Sequence, residues 1–98
     1  MNILQTPEFR EWFDALRDKE QTQVSARLDR IREHNHFGDM RNLREGLAEL
    51  RWERGLRVYF SVVEIDGKAV LVLCGGLKND QKKDIRRARK ILERYARH

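Results

Sequence analysis

A single cysteine, Cys74, stands among the 98 residues of this chain, and one thiol closes no internal disulfide. It lies inside an apolar run, where a buried thiol is expected, and the chain suits a reducing cytoplasm. No apolar stretch approaches the length of a membrane span, so no membrane partner is expected. Met1 to Pro7 lacks the basic-then-apolar signature of a secretory signal. Repeats, low-complexity tracts and an interdomain linker are also missing. Gly75-Gly76 is no phosphate loop, because the lysine and Ser/Thr of a P-loop do not follow it. His34 and His36 have only Asp39 close by and no cysteine, which does not match zinc-ligand spacing. Neither a metal nor a cofactor is expected.

What is present points to one small domain over residues 1–98. Hydrophobic residues make up 40% and charged residues 38%, a globular composition too apolar for a disordered chain. The formal net charge is +5. Lys78 to His98 holds nine Lys or Arg against three Asp or Glu, a net of +6, whereas the preceding residues hold twelve against thirteen, a net of −1. The positive excess therefore lies in the last segment, and a basic helix there suits a polyanion or an acidic protein.

Ile3-Leu4-Gln5 reads as an edge strand. Thr6 is placed to cap a helix with Pro7, the sole proline, at its first position. Phe9, Trp12, Phe13 and Leu16 then recur at helical spacing, as do Val24, Leu28 and Ile31 in a second helix through about Glu33. So few residues between two helices predict an antiparallel helical hairpin lying on a sheet. Asn42 to Gly46 is short and extended. Leu47–Trp52 and Leu56–Val63 alternate around Glu53-Arg54-Gly55, predicting a β-hairpin in which Arg51 opposes Arg57. Asp66-Gly67 predicts the next hairpin. Lys68–Cys74 does not alternate, which places it inside the sheet with both faces covered and the first strand on its far edge. Gly75-Gly76 would end it. A C-terminal helix follows, with Asn79-Asp80 as cap, Asp80 and Asp84 complementing the dipole, and Ile85, Ala88, Ile91 or Leu92, and Tyr95 as its core stripe. The expected fold class is α+β: a small, mostly antiparallel four-stranded sheet, an N-terminal helical hairpin and a basic C-terminal helix.

Like charges directly opposed on one sheet face destabilise it. Arg51 and Arg57 held there, with Tyr59 on the same face, suggest a surface for an anion, with RNA phosphate the leading candidate. Strand parity adds Cys74 and Lys78 to that face. Trp52 has the parity of Leu50 and Leu56, so core packing is expected for it. Arg54, Tyr59, Lys82 and Arg86 are the further candidate RNA contacts. No general base is obvious; His98, Tyr95, Glu49 and Glu53 are candidates, and Glu49 also has the parity to neutralise the arginine pair.

Leu43-Arg44-Glu45-Gly46-Leu47, Glu49-Leu50-Arg51, Gly55-Leu56-Arg57-Val58-Tyr59-Phe60, Leu73-Cys74-Gly75-Gly76-Leu77-Lys78, Gln81 and Asp84-Ile85-Arg86-Arg87-Ala88 occur in order over nearly the whole chain. This pattern resembles the RelE/ParE superfamily of toxin–antitoxin toxins, with the HigB-type, phage-related addiction module killer branch as the nearest match. The resemblance implies a bacterial toxin neutralised by an antitoxin, often of helix-turn-helix type, through which the complex meets operator DNA. It also implies a ribosome-dependent, metal-independent endoribonuclease acting on mRNA. ParE relatives instead poison DNA gyrase, and an inactive copy would persist as an antitoxin-binding regulatory module. Carried over residue by residue, Arg57 matches the family's catalytic strand arginine and Arg51 a basic residue on the preceding strand. Lys78 matches a transition-state cation, and His98 lies in a region that supplies a catalytic group in some members. Glu49 departs from the pattern, standing where some ribonuclease members carry lysine.

Overall fold

A computed structural model describes residues 1–96, and the structural statements below concern those residues. The candidate His98 lies outside them. The chain forms β1 (Asn2–Gln5), α1 (Pro7–Asp14), α2 (Asp18–His34), β2 (Met40–Arg44), β3 (Leu47–Arg51), β4 (Leu56–Glu64) and β5 (Lys68–Leu77). A 3₁₀ turn (Lys78–Asp80) then leads into α3 (Gln81–Ala96). The sheet order is β1-β5-β4-β3-β2. β1 runs parallel to β5 and every other pairing is antiparallel.

The sheet is thus five-stranded, not four-stranded. The added strand, β2, is exposed apart from Leu43, and its two apolar residues, Met40 and Leu43, are three apart, so it carries no alternation that a pattern could reveal. Its turn into β3 places Arg44, Glu45 and Gly46 at φ of 74°, 52° and 80°. Two of these are non-glycine residues in left-handed backbone, which turn propensities do not anticipate.

Two layers of helix enclose the sheet. One face carries Leu50, Leu56, Val58, Phe60, Val70 and Val72 against Phe9, Val24, Leu28 and Ile31 of α1 and α2. Trp52 and Phe37 pack on the same cluster, and Phe37 stacks on Phe60 with ring centroids 5.4 Å apart. The opposite face carries Leu47, Tyr59, Leu71, Leu73 and Cys74 beneath Ala88 and Ile91 of α3. β5, buried on both sides, is the shared wall, as its unbroken apolar run predicts.

Thr6 fixes the start of α1. Its hydroxyl oxygen accepts the Phe9 N–H at 3.0 Å and donates to Leu73 O at 2.6 Å, with the residue fully buried. The two N-terminal helices do not form the expected antiparallel hairpin. α1 has only eight residues and packs chiefly on β5, while α2 reaches β1. Arg17 between them is extended, with φ −68° and ψ 158°, and redirects the chain. The link across their turn is a bond from Gln21 Nε2 to Phe13 O at 2.9 Å.

Gly75 and Gly76 do not end β5; they lie within it. A Cβ on Gly75 would come within 2.5 Å of the Trp12 ring, and one on Gly76 would collide with the Asp84 carboxylate. The glycines admit a helix side chain from each layer, Trp12 on one side and Asp84 on the other. Gly75→Ala is accordingly expected to cost about 1–3 kcal/mol through overpacking, measured by urea denaturation. Combined with Trp12→Ala, the glycine substitution should add markedly less than it does alone.

Candidate functional site

The β3–β4 hairpin forms with the expected register. Arg51 lies opposite Arg57, and Glu49 lies opposite Tyr59. β5 continues both rows, with Gly76 beside Arg57 and Cys74 beside Tyr59. One row therefore reads Arg51–Arg57–Gly76, and the next reads Glu49–Tyr59–Cys74. The shared face of Arg51, Arg57, Tyr59 and Cys74 is present as parity predicts.

What parity does not show is the cover. α3 lies over this face, and Tyr59, Glu49 and Cys74 are fully buried, with Arg57 nearly so. Tyr59 is therefore not the surface contact expected of it. The first turn of α3 reaches into the polar row: Gln81 Nε2 donates to both oxygens of Glu49 at 2.9 Å. Asp84, only 7% exposed, occupies the space above Gly76. Sequence reasoning assigned Asp84 only to the helix dipole. The signal that locates it is Gly76, a position without a side chain in the middle of a row.

The two arginines meet this setting differently. Arg57 Nη1 donates to the carbonyls of Trp52 and Leu56 at 3.0 and 2.9 Å, bracing the loop end of the hairpin. Its Nε, the Nε of Arg51 and the hydroxyl of Tyr59 are all buried without a hydrogen-bond partner. Buried polar groups are nearly always paired, and each orphan costs about 1–3 kcal/mol. Three potential donors left unpaired on one sheet face form a site with an unmet demand for an acceptor.

Titration behaviour follows from the cover. Burial, then the charges of Glu49 and Asp84, push the Tyr59 phenol well above its ordinary value. It is a hydrogen-bond or proton donor at neutral pH, not a base. Burial also pushes Cys74 up to about 12. Asp84 is raised by burial first and by Asp80 second.

The remaining candidates fall into separate places. Lys78, Lys82 and Arg86 line one surface groove of about 490 Å³ beside the start of α3. Lys78 also joins the hairpin loop, its backbone N–H donating to Gly55 O at 2.8 Å. Arg54 is exposed at the tip of that loop. Tyr95, expected in the core stripe, continues the line of Asp84, Ala88 and Ile91 but is 38% exposed and lies beside Arg94, because the buried contact ends before the last turn of α3. Glu53 is exposed in the loop, away from the arginine row. His34 and His36 are exposed. Among the described residues no three His, Cys, Asp or Glu side chains gather as a metal site.

Two arginines tie down the C-terminal half of α3. Arg94 pairs with Glu8 of α1 at 2.6 Å. Burial would raise the Glu8 carboxyl, but its own backbone N–H and Arg94 bring it below the ordinary value. Arg89 Nη2 donates to Leu43 O at 2.9 Å beside the β2–β3 turn.

Two measurements check this geometry. Cys74 should resist a disulfide reagent in the folded protein and react at an ordinary rate once urea unfolds the chain. For Asp84, the folded state holds its proton above the unfolded value of 3.8. Stability is then fullest below that value and falls as pH rises through the raised one. Asp84→Asn should be the more stable protein at neutral pH and should lose this fall, read by urea denaturation from acid to neutral pH.

A curated relative, an uncharacterized protein of Haemophilus influenzae, is 33% identical over 96 residues, covering 95% of this chain and 94% of that protein. The crystal structure of the RelB-RelE antitoxin-toxin complex from Methanococcus jannaschii contains a chain of similar fold. Its TM-score is 0.61 at 8% identity, over 82% of this chain and 95% of that one. The family model described as phage derived protein Gp49-like matches residues 11–96, so this chain belongs to the Gp49-like, phage-derived family.

Proposed function

We propose that the protein is the toxin of a bacterial toxin–antitoxin module, acting as a metal-independent endoribonuclease on ribosome-bound mRNA. The observation that carries this reading is the trio of buried, unpartnered donors, Arg51 Nε, Arg57 Nε and Tyr59 OH, on one sheet face. A phosphodiester supplies the missing acceptors. The RelE-like fold supports the same reading, as does the order of motifs shared with the RelE/ParE superfamily, its HigB-type branch in particular.

The chemistry then follows from the side chains. The substrate's 2′-oxygen attacks the adjacent phosphorus, and the 5′-oxygen leaves. The pentacovalent transition state carries extra negative charge, and preorganised cations aimed at it lower the barrier. Arg51 and Arg57 are those cations, from directly opposed positions, and guanidinium offers bidentate phosphate geometry. Lys78, at the neighbouring strand end, adds a third charge. Arginine cannot accept a proton at neutral pH. Glu49 is the carboxylate on the arginines' own face and takes the 2′-hydroxyl proton. Tyr59, held protonated, donates to the leaving oxygen. His98 enters this scheme only as the sequence candidate named above. Arg54, Lys82 and Arg86 hold flanking phosphates. Access to Tyr59 and Glu49 requires the Gln81 turn to yield, so the exposed basic residues meet RNA first.

An antitoxin is the expected partner, covering the basic surface or docking on the helices. A cytoplasmic setting fits an mRNA target.

The decisive experiment is induced expression of wild type and Arg57→Ala in a bacterium without the antitoxin, following growth and mapping mRNA 5′ ends. The expected result is growth arrest with new in-frame ends. Arg57→Ala should abolish both, with a loss of cleavage rate on the order of 10²–10³ and an unchanged circular-dichroism spectrum. Arrest with intact mRNA and broken DNA would favour a gyrase poison. The absence of arrest would favour an inactive antitoxin-binding module.

A further inference from the structure

The sheet's other face carries a second basic site at the same end of the molecule. A groove of about 440 Å³ opens between the start of α2 and the β3–β4 loop, lined by Arg17, Lys19, Arg27, Trp52, Arg54 and Leu77, with Glu20 and Glu53. Four cations face two carboxylates. Glu20 is already engaged, accepting the Arg17 N–H at 3.4 Å and lying 3.6 Å from its guanidinium.

Arg27 is the fixed part of the groove. Its guanidinium lies 4.3 Å from the centroid of the Trp52 ring. It donates to the carbonyls of Phe37, Asp39 and Arg51 at 3.4, 3.2 and 3.1 Å. Burial and nearby Arg30 lower its pKa, yet arginine stays charged at neutral pH. This planar, immobilised cation–aromatic stack is set in place before any ligand arrives, so binding orders few side chains. Around it Arg17, Lys19 and Arg54 are exposed, and the Arg17 side chain retains 88% of its free surface.

Exposed cations around a fixed guanidinium–indole plane suit single-stranded RNA. Phosphates pair with the cations, and bases stack against planar groups. An acidic peptide would use the charges and leave the plane idle. The groove meets the Arg51–Arg57 face at the hairpin loop. Arg27 grips Arg51 through its carbonyl, Arg57 grips Trp52 through its carbonyl, and Arg54 stands on the loop between. We propose that this groove is a second RNA-contact surface, taking the phosphates of single-stranded RNA that crosses the hairpin loop from the Arg51–Arg57 face. The choice of RNA rests on reading that face as an RNA site.

The test is fluorescence anisotropy of a labelled, 2′-O-methyl single-stranded oligoribonucleotide, which binds but cannot be cleaved. Wild type is compared with Arg17→Ala/Lys19→Ala, two exposed positions whose truncation leaves the core untouched, and with Arg57→Ala. The double variant is expected to bind about tenfold more weakly near physiological salt. Its log K against log salt slope should be shallower by about 1.4, since each lost phosphate contact removes about 0.7 on a single strand. Tryptophan emission should change on RNA addition in wild type and much less in the double variant. An unchanged affinity and slope in the double variant would overturn the proposal. So would tighter binding of polyglutamate than of RNA at equal salt, which would assign the groove to an acidic protein segment. Because the probe is uncleavable, binding through Arg17 and Lys19 together with intact mRNA in cells would retire the ribonuclease reading alone.

Discussion

The structure depends on β5 being apolar on both faces. A strand of that kind is stable only between two covering layers, and each layer then brings polar chemistry with it. α1 seals one side through the Thr6 bridge to Leu73 and the Trp12 ring over Gly75. α3 seals the other through Ala88 and Ile91, and the same helix carries Gln81 onto Glu49 and Asp84 onto Gly76, one in each polar row. The polar site is therefore a by-product of hydrophobic closure. Its unpartnered donors persist because the apolar contacts on either side of them hold the lid in place.

Much of this was legible in the sequence. The Thr6-Pro7 start, the register that opposes Arg51 to Arg57, the double-sided burial of β5 and the core role of Trp52 all follow from spacing and parity. The strand β2 was not legible, because a polar edge strand needs no apolar face. Nor was the spread of α1 and α2, which is set by the length of α1 and the extended backbone at Arg17. The cover over Tyr59 was missed for a different reason. Parity says which residues share a face, whereas exposure depends on what a distant segment lays on top. Tyr95 failed in the same way: a helical stripe predicts a face, and the contact ends before the helix does. Of the candidate site, the arginine row was readable, and the partners that desolvate it were not.

Charge is organised on both sides of the hairpin loop. The sequence draws the eye to the basic C-terminal helix, which holds the formal excess. The structure divides the cations by surface: Lys78, Lys82 and Arg86 gather by α3, and Arg17, Lys19 and Arg27 gather by α2. The residues of the second group come from a segment whose net charge is close to neutral, so a tally along the chain conceals them. Surface potential follows proximity in space, not in sequence.

Between Tyr59 and Phe60 the β4–β5 pairing slips, so that Cys74 faces Tyr59 while Val72 faces Phe60. Leu73 is the inserted residue of this bulge, and Leu73 and Cys74 both pack toward α3. The slip acts as a phase change in the two-residue rhythm of the strand. Upstream, even-numbered positions look toward α1 and α2; downstream, odd-numbered ones do. Gly75 meets Trp12 and Gly76 meets Asp84 only because of that change. Without Leu73 the two strands would pair one-to-one and the glycines would keep their faces; with Leu73 kept and the slip lost, Gly75 and Gly76 would exchange them. The bulge thus holds the extra residue without disturbing which helix each glycine admits.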